Sequence, residues 1–390
     1  MRIFVLLVLC MCSLCFADNL FIDSSRDAQA LTVEQQQLVN TIWQRQTTLN
    51  ARTTEVDFKV LEGQIEIDLN LFPGKQIKVL RTEMERSRSG YVWNGIVTEG
   101  YGTATIVVEG DMATGTISQD DEVYRISPLG NGMHAISQID SRMFPMEHPP
   151  LEENVFVEEV EEQREETQQS DSRAKTIDIL VAYTPSAAST SGNISSLIKL
   201  AVTESNQSYR NSGIDIKLRL VHTYRTNYRE SGDFNTDLSR FRNKNDGHMD
   251  EVHSRRDQHR ADICVLIVNN KQYCGLAYVY ASAQSAFAAV HYDCATGYYS
   301  FAHEIGHLQG ARHNPENDSS SQPFAYGHGY QDPGRKWRTI MAYNCPGGCK
   351  RINHWSNPAK KNSGKVMGTS SRHNNARVLN TSANRMSSFR

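Results

Sequence analysis

The period of apolar residues changes several times along the chain. Arg2 is followed by a continuously apolar or small run, Ile3 to Phe16, closed by Cys15-Phe16-Ala17. A positive start, a short apolar run and a small-x-small end predict a secretory signal peptide over residues 1–17. The run is shorter than the roughly 20 residues that span a bilayer, and no later run approaches that length. The chain is therefore expected to be exported, with no membrane span in its mature form. From Thr32 to Arg52, Val33, Leu38, Val39, Ile42, Trp43 and Leu49 fall mostly at helical spacing and predict one amphipathic helix. From Val56 to about Asp140 the pattern shifts to short alternating runs: Gln64–Leu69, Gln76–Leu80, Tyr91–Val97, Thr103–Val108, Thr114–Ser118, Val123–Ile126 and Met133–Ile139. Pro73-Gly74, Gly110-Asp111 and Asn131-Gly132 punctuate them as turns. Residues 18–146 thus predict a β-rich domain without a catalytic cluster.

Residues 147–175 are rich in Glu and Gln and read as an acidic linker. The stretch is either a solvated spacer or a protease-accessible junction, with Arg164, Arg173 and Lys175 as possible cut sites. From Thr176 strand and helix alternate. TIDILVAYTP is a buried strand, Ser195–Asn211 an amphipathic helix and Ile214–Tyr224 a strand. Asn235–Arg260 reads as one polar helix, and Asp262–Val268 as a central strand apolar on both faces. Gly275–Tyr280 and Ser285–His291 add two strands, and Asn374–Met386 a last helix. Residues 176–390 therefore predict an α/β (α+β) domain on a mixed, twisted, largely parallel sheet.

Charge and cysteine usage narrow the picture. With 41 Lys+Arg against 44 Asp+Glu the chain lacks the basic excess of a dedicated nucleic-acid binder. Eight cysteines in 390 residues are too few for a disulfide scaffold. Cys10, Cys12 and Cys15 fall in the signal segment, leaving Cys264, Cys274, Cys294, Cys345 and Cys349 in a chain whose compartment permits disulfides. Cys264 lies within DICVLIV and is expected to be free and inert. Proximity along the chain suggests Cys274–Cys294 and Cys345–Cys349, one of the arrangements the sequence allows.

The chemistry concentrates in YYSFAHEIGHLQGARHN, Tyr298–Asn314. His303 and His307 lie one helical turn apart on one face and can hold one metal ion. Glu304 beside them can act on water without being a ligand. Gly310 permits a bend that returns His313 as a third ligand, and three protein ligands leave a zinc position open for catalysis. The loop Glu316-Asn317-Asp318 is a possible calcium site but lacks a spaced ligand pattern.

His303-Glu304-x-x-His307-x-x-Gly310-x-x-His313 resembles the elongated zinc motif of the metzincin metallopeptidases. RTIMAYN, Arg338–Asn344, resembles their methionine turn, with Met341 as a packing floor for the histidines. Tyr343 matches the Met-x-Tyr of astacins and serralysins, while GLAYVY and FAHEIGH look more like reprolysins. The chain is most similar overall to secreted bacterial peptidyl-Asp metallopeptidases, through TIDILVAYTP and CATGYYSFAHEIGHLQGARHN. The resemblance implies one catalytic zinc and Glu304 as general base. It implies Tyr343 as an oxyanion donor, packing alone being the other reading. It also implies protein or peptide substrates cut before an acidic residue, chiefly Asp. Asn314 stands where reprolysin-like members carry Asp. Arg351, Lys350 and Arg338 are candidates for reading an acidic side chain, or else solvated loop charges. By resemblance residues 18–146 form a pro-domain that inhibits the enzyme. A cysteine switch is excluded because the pro-region has no cysteine, and Glu109-Gly110-Asp111 is either an aspartate-switch motif or a hairpin turn. The expected product is a secreted, extracellular bacterial zinc endopeptidase made as a zymogen. The alternatives are a broad-specificity metalloprotease and a non-catalytic binding module on a protease fold.

Overall fold

The computed structural model describes residues 19–22, 31–152 and 174–390. The signal segment and the acidic stretch from 153 to 173, with the cut sites Arg164 and Arg173, lie outside the described residues. None of the described helices is long and apolar enough to cross a membrane.

The N-terminal part builds one nine-stranded antiparallel sheet. It comprises β1 (Phe21–Ile22), α1 (Val33–Trp43), β2 (Thr48–Val56), α2 (Phe58–Gly63), β3 (Glu66–Phe72), β4 (Lys75–Ser87), β5 (Gly90–Val97), β6 (Gly102–Glu109), β7 (Met112–Gln119), β8 (Glu122–Gly130) and β9 (Met133–Ile139). Strands β3 to β9 follow one another as hairpins, β2 pairs with β9, and β1 closes the order. Asn19 also bridges Asp68 of β3, so the two edges meet around a core that includes Trp93, Leu69, Ile106 and Ile136.

The predicted helix over 32–52 is corrected. Helix α1 ends at Trp43, and Thr48–Glu55 pairs with Met133–Ile139 instead. The β-branched Thr48, Thr53 and Thr54 suit a strand, and a partner edge was available to pair with it. Glu109-Gly110-Asp111 is the β6–β7 hairpin turn, with Gly110 at φ 61°. Its Glu109 accepts from Ser196 and Lys199 of the C-terminal part.

The C-terminal part begins with β10 (Lys175–Tyr183), α3 (Pro185–Thr190), α4 (Ile194–Ser212) and β11 (Ile216–Arg225). Then come α5 (Phe234–Arg242), α6 (Glu251–His259), β12 (Ile263–Val268), β13 (Gly275–Ala277), β14 (Phe287–His291) and α7 (Ser300–Gln309). Short strands β15 (Trp337–Arg338), β16 (Lys350–Arg351), β17 (Asn357–Asn362) and β18 (Lys365–Met367) precede α8 (Asn375–Met386). The main sheet runs β11-β10-β12-β14-β13, parallel except for the antiparallel edge strand β13.

Alternation along β12 explains the layers. Ile263, Val265 and Ile267 face the core shared with α4, α7 and α8, while Cys264, Leu266 and Val268 face that of α5 and α6. The single polar helix predicted over 235–260 is two helices. Asn245, Gly247 and Met249 take positive φ between them, and Asp246 and Asp250 accept the backbone N–H groups of His248 and Gly247. Such side chains compete with helix formation. The strand expected over 275–280 is shorter, ending at Ala277.

Candidate active site

Helix α7 is buried along its whole length and carries His303, Glu304 and His307 toward β13. It ends at Gly310 with φ 103°, a conformation that favours glycine, and a β-carbon there would press on Tyr280 and Phe324. This bend returns His313 to its partners. The Nε2 atoms of His303 and His307 each lie 3.0 Å from Nε2 of His313.

The orientation of two rings is fixed from behind. Nδ1 of His303 donates to the Ile340 carbonyl at 2.9 Å, and Nδ1 of His307 to that of Ala311 at 2.8 Å. With the proton on Nδ1, each Nε2 turns a lone pair inward, and lone pairs 3.0 Å apart call for a shared cation. A single ion with nitrogen bonds of about 2.0–2.1 Å bridges such separations, so the three histidines fit zinc. Burial holds all three imidazoles below the ordinary histidine range, His307 at about 4.

Glu304 is fully buried, and its carboxyl faces that of Glu147. Burial, and then the Glu147 carboxylate, push its pKa well above the usual value. Beneath the histidines Met341 is buried, and its Sδ would lie 2.9 Å from a β-carbon on Gly306. Asn314 ties the next loop down. Its Oδ1 accepts from the Tyr343 backbone N–H at 2.9 Å, and its Nδ2 donates to Glu316 and Asn317. Asp318 is engaged by Arg312. The loop 316–318 therefore spends its oxygens internally and forms no ligand cluster among the described residues. The Tyr343 ring packs 4.1 Å from the His313 ring. His328 donates through Nδ1 to the His313 carbonyl at 2.7 Å.

The three cationic candidates separate clearly. Arg351 is buried, with its Nη1 2.6 Å from Glu147 Oε1 and 2.8 Å from the Tyr298 carbonyl. Its guanidinium lies 4.3 Å from the centre of the Tyr298 ring. Arg338, also buried, holds the turn through the Ala342 carbonyl and Tyr298 Oη, and burial brings its pKa down to about 10. Lys350 faces elsewhere: its ammonium donates to the Asp120 carbonyl in the β7–β8 turn. Disulfides join Cys274 to Cys294, and Cys345 to Cys349 in the loop before β16. Cys264 is free and buried.

One further group reaches the site from outside the C-terminal part, and no motif announces it. Residues Met146 to Leu151, from the end of the β-rich part and the head of the acidic stretch, lie along β13. Cys274 N–H donates to Met146 O at 3.0 Å, Leu151 N–H to Ala277 O at 2.9 Å and Val279 N–H to Leu151 O at 2.9 Å. Glu147 is thereby inserted beside His303 and Glu304, where its oxygen joins theirs in one ligand cluster. Ser300 Oγ donates to Glu147 Oε1 at 2.7 Å, and Tyr343 Oη donates to the Glu147 carbonyl at 3.0 Å. Only the flanking Pro145, Pro149 and Pro150 set this segment apart in sequence, by favouring extended backbone.

Known proteins resemble this chain over most of its length. A family model described as Metallo-peptidase family M12 matches residues 173–356. A peptidyl-Asp metalloendopeptidase of Xanthomonas campestris is 42% identical over 360 residues, covering 87% of this chain and 85% of the relative. One from Stenotrophomonas maltophilia is 43% identical over 359 residues, covering 84% of each.

Proposed function

The chain belongs to metallo-peptidase family M12, with the bacterial peptidyl-Asp metalloendopeptidases, and is a zinc metalloendopeptidase; on that premise we propose that it is secreted as a zymogen and cuts before acidic residues, chiefly Asp. The observation that carries the specificity is the buried Arg351 guanidinium, paired with a carboxylate at 2.6 Å beside the histidine cluster. In this reading residues 1–17 are the signal peptide, 18–146 the pro-domain, 147–175 the processed linker and 176–390 a metzincin-like catalytic domain.

His303, His307 and His313 hold the metal. When bound, zinc supplies Lewis acidity toward a water molecule and the peptide carbonyl. Glu304 takes a proton from the attacking water and delivers it to the departing amine. Its raised pKa suits a group that must both accept and return a proton. Tyr343 directs its hydroxyl at the carbonyl oxygen and donates to the oxyanion. Strand β13 pairs with the extended substrate, and Arg351 receives the acidic side chain on the amine-donating residue.

The test is hydrolysis of casein and of paired Asp and Asn peptides by the processed chain. Activity is expected to be abolished by 1,10-phenanthroline and by Glu304→Ala, with new N-termini beginning at Asp. A chain that binds zinc but cuts both peptides equally loses the Asp reading, and one that binds no zinc loses the enzyme reading.

A further inference from the structure

We propose that Glu147 is an intramolecular stand-in for the acidic side chain of a substrate, read by Ser300 together with Arg351, and that this occupancy keeps the unprocessed chain latent. The inference rests on the specificity reading above and adds to it the regulation of that site and a second recognition residue.

The pocket is built for a carboxylate. Arg351 and Glu147 side chains are each only 1% exposed, and a buried guanidinium without an anion is costly. One Glu147 oxygen takes both the Ser300 hydroxyl and the Arg351 N–H. The stack on Tyr298 and the bond to its carbonyl fix the guanidinium from the other side. The Glu147 carboxyl is buried against that of Glu304. Ser300 opens the helix that carries His303 and Glu304, so the acid reader and the reacting groups share one rigid element.

On this proposal the segment, which runs parallel to β13, resists cleavage because its carbonyls are out of step. A bond cut on the amine side of Glu147 would present the Met146 carbonyl to the Tyr343 hydroxyl. That carbonyl instead accepts from Cys274 N–H, and Tyr343 meets the Glu147 carbonyl, one residue further on. The acid sits in its pocket while the peptide bond before it points away from the oxyanion donor.

The experiment compares unprocessed full-length wild type and Glu147→Gln, each loaded with zinc, on quenched peptides differing only in Asp or Asn. Glu147→Gln keeps the shape and removes the charge. Its unprocessed form is expected to be about tenfold or more active than unprocessed wild type, with equal activity after processing. In parallel, a synthetic peptide of residues Met143–Glu152 is titrated into processed wild type. It should compete with the Asp substrate, and its Glu147→Gln version should bind about tenfold more weakly or worse. Ser300→Ala in the processed chain should lower the Asp/Asn ratio through KM. Unprocessed Glu147→Gln as latent as wild type, or equal inhibition by the two peptides, overturns the proposal and leaves backbone pairing along β13 as the block. Processed wild type without Asp preference would instead overturn the specificity reading itself.

Discussion

Gly275 in β13 backs directly onto Glu304 in α7: a β-carbon at Gly275 would lie 2.3 Å from the Glu304 Oε1. The edge strand and the proposed proton carrier are thus in contact with no room for a methyl group. Gly275→Ala must push Glu304 aside, and a displacement of about 1 Å at a reacting group costs on the order of 10²-fold in rate. The expected outcome is a kcat reduced by about that factor with full zinc content by metal analysis. A Gly275→Ala enzyme with wild-type kcat would show that Glu304 need not sit where it does.

Tyr343 and Asn314 should respond differently. Tyr343→Phe removes the proposed oxyanion donor and is expected to lower kcat by about 10²–10³ with little change in KM. Asn314→Ala leaves the hydroxyl but frees the loop, since the Asn314 amide joins Tyr343, Glu316 and Asn317. At about 0.5–1.5 kcal/mol for each bond, Tm should fall by several degrees and kcat should fall with it. Unchanged melting would mean the loop is held by other contacts.

Docking of the β-rich part is expected to depend on pH. Asp293 of the C-terminal part receives Arg125 at 2.5 Å, Arg45 at 3.3 Å and Thr47 at 2.8 Å from the other. Burial alone would raise its pKa, but the two guanidinium groups outweigh that and hold it well below the ordinary 3.8. Its contribution is present above 3.8 and fades as pH falls below it. Native mass spectrometry of the nicked chain should show association that weakens as pH falls below 3.8 and holds steady from there to neutral pH. Asp293→Asn should loosen the association at neutral pH and remove this acid dependence. Wild-type release no greater in acid than at neutral pH would remove Asp293 from this account.

Cys264 should resist alkylation in the folded protein. Its thiol is fully buried in β12, and burial raises its pKa to about 12. Iodoacetamide is expected to label it only after denaturation, as seen by peptide mapping. Labelling of native protein at neutral pH would show that β12 opens on the time of the experiment.

The reach of the sequence followed the locality of each signal. The i, i+4 pair His303 and His307 with Gly310 and His313 lies within a single helix and its bend, so spacing alone points to the cluster of three histidines. The run ICVLIV was legible as a doubly buried strand for the same reason. Thr48–Val56 is the exception: the helical spacing of Val33–Trp43 continues to Leu49 in sequence, and only the distant β9 makes those residues a strand. Glu147 was hidden by its neighbours: an acidic, Gln-rich context argues for solvated chain, and its partners lie at positions 300 and 351. Arg351, Lys350 and Arg338 are all candidates in sequence, arginine being the better carboxylate partner, and the side of the turn each faces separates them.

Strand β13 pairs with β14 on one side only, and on the other its backbone groups meet the 146–151 segment. A bare edge is a template for joining any other extended chain, including that of a neighbouring molecule. On the reading proposed above, the segment is a shield for a newly made chain as well as a plug, and it keeps an adhesive margin covered until it is displaced.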